Sequence, residues 1–274
     1  MKTRKRILPA GWYPETEKMV ERTLVDWMTA DSGERKGVSC IVPHAGWFFS
    51  GKLAFQTISR LTPDVDTVVI VGGHLPGFGE VLAAEEEGYE TPIGVMSADL
   101  DLRKEIGNTI ALASDTRPDN TVEVILPMVS WLFRKKKALW LRAPQSDTAV
   151  QLGQVIHTSA KRLDKKVVVI GSTDLTHYGA GYGFMPKGEG KEALTWVKEE
   201  NDAGIIEAFL SMDKDEILHY AVQRKAACSA GGALAAVSYA EAKGMEGGQL
   251  IGYLNSADVH PSDSFVGYAG VLFG

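Results

Sequence analysis

The chain predicts an α/β protein: a single domain, 1–274, with a central, mostly parallel or mixed sheet flanked by helices. Three observations carry this. Short β-branched apolar runs recur along the whole length, amphipathic stretches with helical spacing separate them, and no repeat, low-complexity tract or Pro/Ser-rich linker divides the 274 residues. Composition agrees. With 45% apolar and 23% charged residues the chain is of globular type, and at this length roughly three quarters of the unfolded surface is buried on folding, enough for one large core.

Taken in order, the strand at 39–42 reads Ser-Cys-Ile-Val, and the helix at 52–61 places Leu53, Ile58 and Leu61 on one face. Thr-Val-Val-Ile-Val at 67–71 is a buried strand closed by Gly72 and Gly73, and a shorter one follows at 81–84. Leu102, Ile106 and Ile110 mark a helix over 100–112, and Val122, Ile125, Val129 and Leu132 another over 122–133. Strand 138–141, helix 149–163 and strand 166–170 then form a βαβ pattern. Helices at 192–210 and 229–243 follow, the second ended by Gly244 as a C-cap. Strands at 250–254 and 265–272 close the chain, and the glycine-dense stretch 178–190 reads as a surface loop.

Charge and composition exclude several function classes. The net charge is −6, and the basic stretches at 2–6 and 134–137 are short and far apart, so nucleic acid is not expected as a partner. No apolar run reaches the roughly 18 residues that cross a bilayer. After the basic start only Ile7 and Leu8 precede Pro9, which leaves no signal-peptide core, and a cytoplasmic protein is expected. Two cysteines, Cys40 and Cys228, are too few for a disulfide framework and should be free thiols.

Chemistry concentrates where strands end. His44 follows the strand 39–42, His74 follows 67–71, and Asp174 and His177 follow 166–170. In an α/β sheet the loops beyond the carboxyl ends of neighbouring parallel strands open onto one crevice, so these imidazoles converge if their strands are neighbours. One histidine beside a strand is more often a hydrogen-bonded structural residue; three in the same topological place point to a shared site. Cys228 opens an apolar helix, where free N–H groups and the helix dipole lower a thiol pKa, so a thiolate is expected there. Two imidazoles and a thiolate suit copper(I), zinc or iron(II), and disfavour magnesium and calcium. Cys40 alternates with Val42 and reads as core, while His157 and His219 lie inside amphipathic helices and read as solvent-facing or packing residues. His260, in a polar loop, is a further candidate to line the crevice. Trp47, Phe48 and Phe49 either wall a pocket beside His44 or dock the next helix.

Taken together, these motifs resemble the Memo-like family, whose prokaryotic members are called AmmeMemoRadiSam system protein B. The resemblance rests on Ala10-Gly11-Trp12-Tyr13-Pro14, Pro43-His44-Ala45-Gly46 with Gly51, Gly73-His74, Tyr89 with Thr91-Pro92-Ile93-Gly94, Glu123 with Leu126-Pro127, Ser172-Thr173-Asp174 with His177-Tyr178-Gly179, Cys228 with Gly231, and Val266-Gly267-Tyr268-Ala269. It implies a fold similar to the class III extradiol dioxygenases, which hold iron(II) with two histidines and a glutamate and use a further histidine as acid/base. Carried onto this chain, it puts His44 and His74 at the two histidine ligand positions, Cys228 in place of the carboxylate, and His177 as acid/base or third imidazole donor. A thiolate for a hard carboxylate argues against ring cleavage. The resemblance further implies copper binding, redox roles and, in animal members, phosphotyrosine-peptide recognition, with an AMMECR-type protein and a radical SAM enzyme as prokaryotic partners.

The sequence departs from the family's usual form at Leu75-Pro76-Gly77-Phe78-Gly79, which is apolar, and at Val122-Glu123-Val124-Ile125-Leu126-Pro127, which lacks a histidine found in some relatives. Glu123 is then expected either near the metal, accepting from an imidazole N–H, or in a surface salt bridge. Three functions follow as expectations. The first is a His44/His74/Cys228 metal site with redox or dioxygenase-related chemistry on a small molecule, in which Asp174 orients His177 for proton transfer. The second is metal-free catalysis with Cys228 as nucleophile, His177 or His44 as base and Asp174 as orienter. The third is a non-enzymatic partner-binding module.

Overall fold

Strands that end in the candidate site residues pair side by side. The computed structural model describes residues 2–28, 36–117 and 119–274. Its elements are β1 (Thr3–Arg4), α1 (Glu17–Trp27), β2 (Ser39–Val42), α2 (Lys52–Ile58), β3 (Thr67–Gly72), β4 (Val81–Ala83), β5 (Gly88–Thr91), β6 (Gly94–Ser97), α3 (Leu100–Gly107), β7 (Leu112–Ser114), α4 (Asn120–Glu123) and α5 (Leu126–Leu132). They continue with β8 (Lys137–Arg142), α6 (Asp147–Arg162), β9 (Val167–Ser172), β10 (His177–Tyr178), α7 (Lys191–Trp196), α8 (Asp202–Leu210), α9 (Lys214–Gln223), α10 (Ala230–Ala242), β11 (Gln249–Asn255), α11 (Ser256–Val259) and β12 (Phe265–Phe273).

A central run β2-β9-β3-β8 is wholly parallel. β12 adds antiparallel to β2 and carries β11 and β10 on its own edges, while β4 adds antiparallel to β8 and pairs in parallel with β7. The sheet is therefore mixed, with a parallel centre. A small sheet of β1, β5 and β6 stands beside it.

Period-two alternation sends the side chains of the central strands to two cores. Ile41, Val69, Val71, Leu139, Leu141 and Val169 face α6 and α10, whereas Cys40, Val42, Val68, Ile70, Trp140 and Ile170 face α1, α2 and α5. Cys40 is fully buried among the second set, a core residue as the sequence predicts. One close approach sets the site. A Cβ on Gly232 would lie 2.4 Å from the Val71 carbonyl, and one on Gly171 would lie 2.4 Å from the Gly232 carbonyl. Glycine at both positions lets the first turn of α10 rest directly on the ends of β3 and β9, which carries Cys228 to His44 and His74.

Several expected boundaries shift. The stretch 100–112 divides into α3 and β7, and 122–133 divides into α4 and α5, with Pro127 in the first turn of α5, where its missing N–H costs nothing. Helix 192–210 contains a π turn at Val197–Asn201, and 52–61 is preceded by another at Trp47–Gly51. The unanticipated α1 and α9 bury Val20 and Leu24, and Ile217 and Ala221. Of the surface loop expected over 178–190, Ala180 to Gly190 is exposed apart from half-buried Phe184, whereas Tyr178 and Gly179 are buried, Tyr178 in β10 and stacked on Phe265. Among the described residues no helix is long and apolar enough to cross a membrane.

Candidate metal centre

His44 lies two residues beyond the end of β2, His74 two beyond β3, and Asp174 two beyond β9. Because β9 sits between β2 and β3, the three loops open onto one place. There His44 Nε2 is 3.2 Å from His74 Nε2 and 3.3 Å from Cys228 Sγ. The three donor atoms lie within 4.8 Å of one another, a cluster capable of holding a metal ion.

The two histidines of the cluster are held from behind. His44 is buried, its Nδ1 lies 3.0 Å from Ser172 Oγ, and its backbone N–H donates to Asp174 Oδ1 at 2.7 Å. Burial, then the neighbouring His74, lowers its pKa to about 3, so the ring is neutral at physiological pH and presents a lone pair. His74 Nδ1 lies 3.5 Å from Asp119 Oδ2. The same oxygen accepts from Arg142 Nη1 at 3.1 Å, and Arg142 in turn donates to both oxygens of Asp115, at 3.0 and 2.6 Å. Burial pushes the Asp119 carboxyl up, but hydrogen bonds from His74 and Thr121 outweigh it and hold the group well below the usual carboxylate range. Asp119 is the acceptor the sequence reading missed. Its one local signal was its place as N-cap of α4, where it also receives the Thr121 N–H at 2.9 Å.

The donor set fits a soft or borderline ion. A tetrahedral ion with bonds of about 2.0–2.3 Å spaces its ligands about 3.3–3.6 Å apart, close to the two short separations here. Cys228 itself corrects one expectation. Ser229 is the N-cap and α10 begins at Ala230, so the thiol precedes the helix's first turn, and burial followed by the Asp174 carboxylate pushes its pKa up, not down. Without a cation the group is a thiol.

His177 and Asp174 line the same crevice, of about 550 Å³, with His44 and His74. They do not pair as expected. His177 Nδ1 donates to the Leu175 carbonyl at 3.1 Å, which sets its tautomer, while Asp174 accepts from the His44 backbone and acts on His177 by charge alone. Burial lowers the His177 pKa and raises that of Asp174.

Glu123 is in neither expected place. It is buried away from the ligands and accepts from the backbone N–H groups of Ile7 and Leu8 at 2.9–3.0 Å and from the hydroxyls of Tyr13 at 2.7 Å and Tyr89 at 3.3 Å, so it anchors the N-terminal segment. Trp47 is also off the crevice: it is buried against Tyr13 and Trp27 and donates Nε1–H to Val124 O at 2.9 Å, while Phe48 and Phe49 form the wall. His260 is exposed and absent from that lining. His157 is half-buried on α6 and His219 is exposed on α9, edge-on to Tyr239 and Tyr220.

The chain is similar to known proteins along nearly its whole length. The family model described as Memo-like protein matches residues 4–272. A MEMO1 family protein of Thermococcus onnurineus strain NA1 is 30% identical, with 96% of each chain covered. Another from Pyrococcus abyssi is 31% identical over 95% of this chain and 96% of its own, and one from Archaeoglobus fulgidus is 29% identical over 96% of each. An uncharacterized protein of Escherichia coli K12 has a similar fold, with TM-score 0.51, 11% identity, and coverage of 86% of this chain and 100% of that one.

Proposed function

This chain belongs to the Memo-like protein family, and on that premise we propose that it binds one copper(I), zinc or iron(II) ion through His44 Nε2, His74 Nε2 and Cys228 Sγ and acts on a small molecule in the crevice above them. The convergence of three donor atoms, two of them 3.2 Å apart, carries the reading. Neutral lone pairs that close are stable together when a cation or a shared hydrogen lies between them. The ion would supply a Lewis-acid or redox centre to the crevice floor.

The chain's own residues supply the rest. Ser172 and Asp119 fix the rings of His44 and His74. His177, neutral and with Nδ1–H committed to Leu175, keeps Nε2 as an acceptor for a proton from a bound hydroxyl or thiol. Phe48, Phe49 and Tyr268 limit water around that group.

We relate the fold to the class III extradiol dioxygenases on the strand-end position of the site and on His177 beside it, and we assign the protein to oxidoreductase chemistry other than ring cleavage because Cys228 replaces the hard carboxylate. A metal-free nucleophilic role is disfavoured: burial raises the Cys228 thiol and lowers the His44 imidazolium, so the ion pair such catalysis needs does not form between them. The free thiols Cys40 and Cys228 support placement in a reducing compartment, the cytoplasm. The AMMECR-type and radical SAM partners stand on family resemblance.

Elemental analysis tests the core of this. Protein purified anaerobically should carry close to one equivalent of metal per chain, and Cys228→Ala less than a tenth of that. Equal metal content in the two would overturn the site.

A further inference from the structure

The crevice over the metal site continues past its aromatic wall. A second groove, of about 470 Å³, adjoins it, and the two share Ala10, Gly11 and Phe48. The strip between them carries little bulk: Ala10 has only a methyl group, and Gly11, at φ +95°, has open space where a side chain would project. Beyond the strip the groove is bounded by Met19, Thr23 and Trp27, which recur every fourth residue on one face of α1.

Two properties of this trough restrict what fills it. Phe48 is 71% exposed and Met19 55% exposed, and these two large apolar side chains border the same concavity, whereas exposed apolar residues are ordinarily scattered singly. Charge is the second. Among the described residues, no lysine or arginine lines the crevice, where Asp174 is present, and Glu15 is the sole charged side chain lining the groove. Among the described lining residues a phosphate or carboxylate would find no guanidinium or ammonium group, the partners such anions need when they leave water, and the Arg6 guanidinium beside the groove is directed to the Glu15 carbonyl at 3.4 Å.

We infer that the ligand of this site is an uncharged amphiphile, with a small metal-binding head such as a hydroxyl or thiol and an apolar body that runs from the crevice over Phe48 into the groove against Met19. The head rests on the metal-binding reading above. The body rests on the trough alone.

The two are separable by experiment. Displacement of the neutral fluorophore N-phenyl-1-naphthylamine is followed with straight-chain thiols and alcohols from four to ten carbons, and with alkyl phosphates of the same lengths, on zinc-loaded and on metal-free protein. Affinity should rise about threefold to fourfold per methylene with and without zinc. Alkyl phosphates should bind at least tenfold more weakly than thiols of equal length. Met19→Glu, a substitution at an exposed position, should flatten the series for the longest chains while leaving the four-carbon thiol unchanged. Affinity independent of chain length, or phosphates binding as well as thiols, would overturn the amphiphile. If the length dependence holds but zinc gives thiols no advantage over alcohols of equal length, the metal reading fails and the trough stands.

Discussion

His44 Nε2 faces His74 Nε2 across 3.2 Å with the two ring planes at 87°, and Cys228 Sγ lies 3.3 Å from the same His44 nitrogen. The protonation of this cluster is legible from its burial. His44 is neutral down to a pKa of about 3, and the thiol is pushed up and protonated at pH 7. A metal ion entering at pH 7 must therefore displace the Cys228 proton while taking a lone pair from His44 without displacing one. Calorimetric titration of zinc into the metal-free protein, repeated in buffers of different ionisation enthalpy, should show release of about one proton. Release of none would mean that the sulfur does not ligate.

Asp119 should matter to the metal without touching it. Its carboxylate holds His74 Nδ1 and is itself held by Arg142, so Asp119→Asn leaves the ligands in place but weakens the acceptor that fixes the ring. Loss of such an acceptor typically lowers metal affinity about 10-fold to 100-fold. Competition with a zinc chelator should give a fall in that range, with full loading restored at excess zinc. An unchanged affinity would reduce Asp119 to a partner of Arg142.

Glu123→Ala should damage the fold and spare the metal. The carboxylate satisfies two part-buried backbone N–H groups and two buried tyrosine hydroxyls, and leaving such donors unpaired costs about 3 kcal/mol. Urea unfolding should show a loss of that order for Glu123→Ala and a smaller one for Glu123→Gln. Metal content of the folded Gln variant should equal that of the wild type; a lower content would return Glu123 to the site.

These variants also mark where sequence reasoning reached and where it stopped. The parallel centre, the two-faced burial of its strands and the strand-end placement of His44, His74 and Asp174 all follow from local pattern, because a buried strand and the loop after it are encoded within ten residues. Asp119 was hidden because its partner lies 45 residues away and its own neighbourhood shows only a helix cap. Glu123 was misplaced for a related reason: its partners include the main-chain donors of Ile7 and Leu8, and every residue but proline carries such a donor, so no side-chain pattern announces them. For Cys228 the error was one of magnitude. A helix N-terminus contributes at most about 1–2 kcal/mol to a nearby charge, and two residues of offset together with burial reverse the outcome.

Asp202 gives the fold a pH dependence of its own. It follows the π turn Val197–Asn201, is fully buried, accepts from the Thr176 N–H at 3.1 Å and hydroxyl at 2.5 Å, and accepts from Tyr253 Oη at 2.7 Å, next to the loop that carries His177. Burial raises its pKa from 3.8 to about 6 against the lowering effect of these hydrogen bonds. The folded protein thus holds this proton more tightly than the unfolded chain. Its stabilising contribution is complete below pH 3.8 and is lost as pH rises through about 6, a change of about 3 kcal/mol. His44 works in the opposite sense: its folded pKa of about 3 lies below the ordinary 6.5, so its contribution is present above pH 6.5 and is lost as pH falls. In the wild type the two partly cancel, and Asp202→Asn separates them. The stability of Asp202→Asn minus that of the wild type, from urea unfolding of metal-free protein between pH 3.5 and 7, should rise by about 3 kcal/mol across that range. A flat difference would show that Asp202 ionises in the fold as easily as in the unfolded chain.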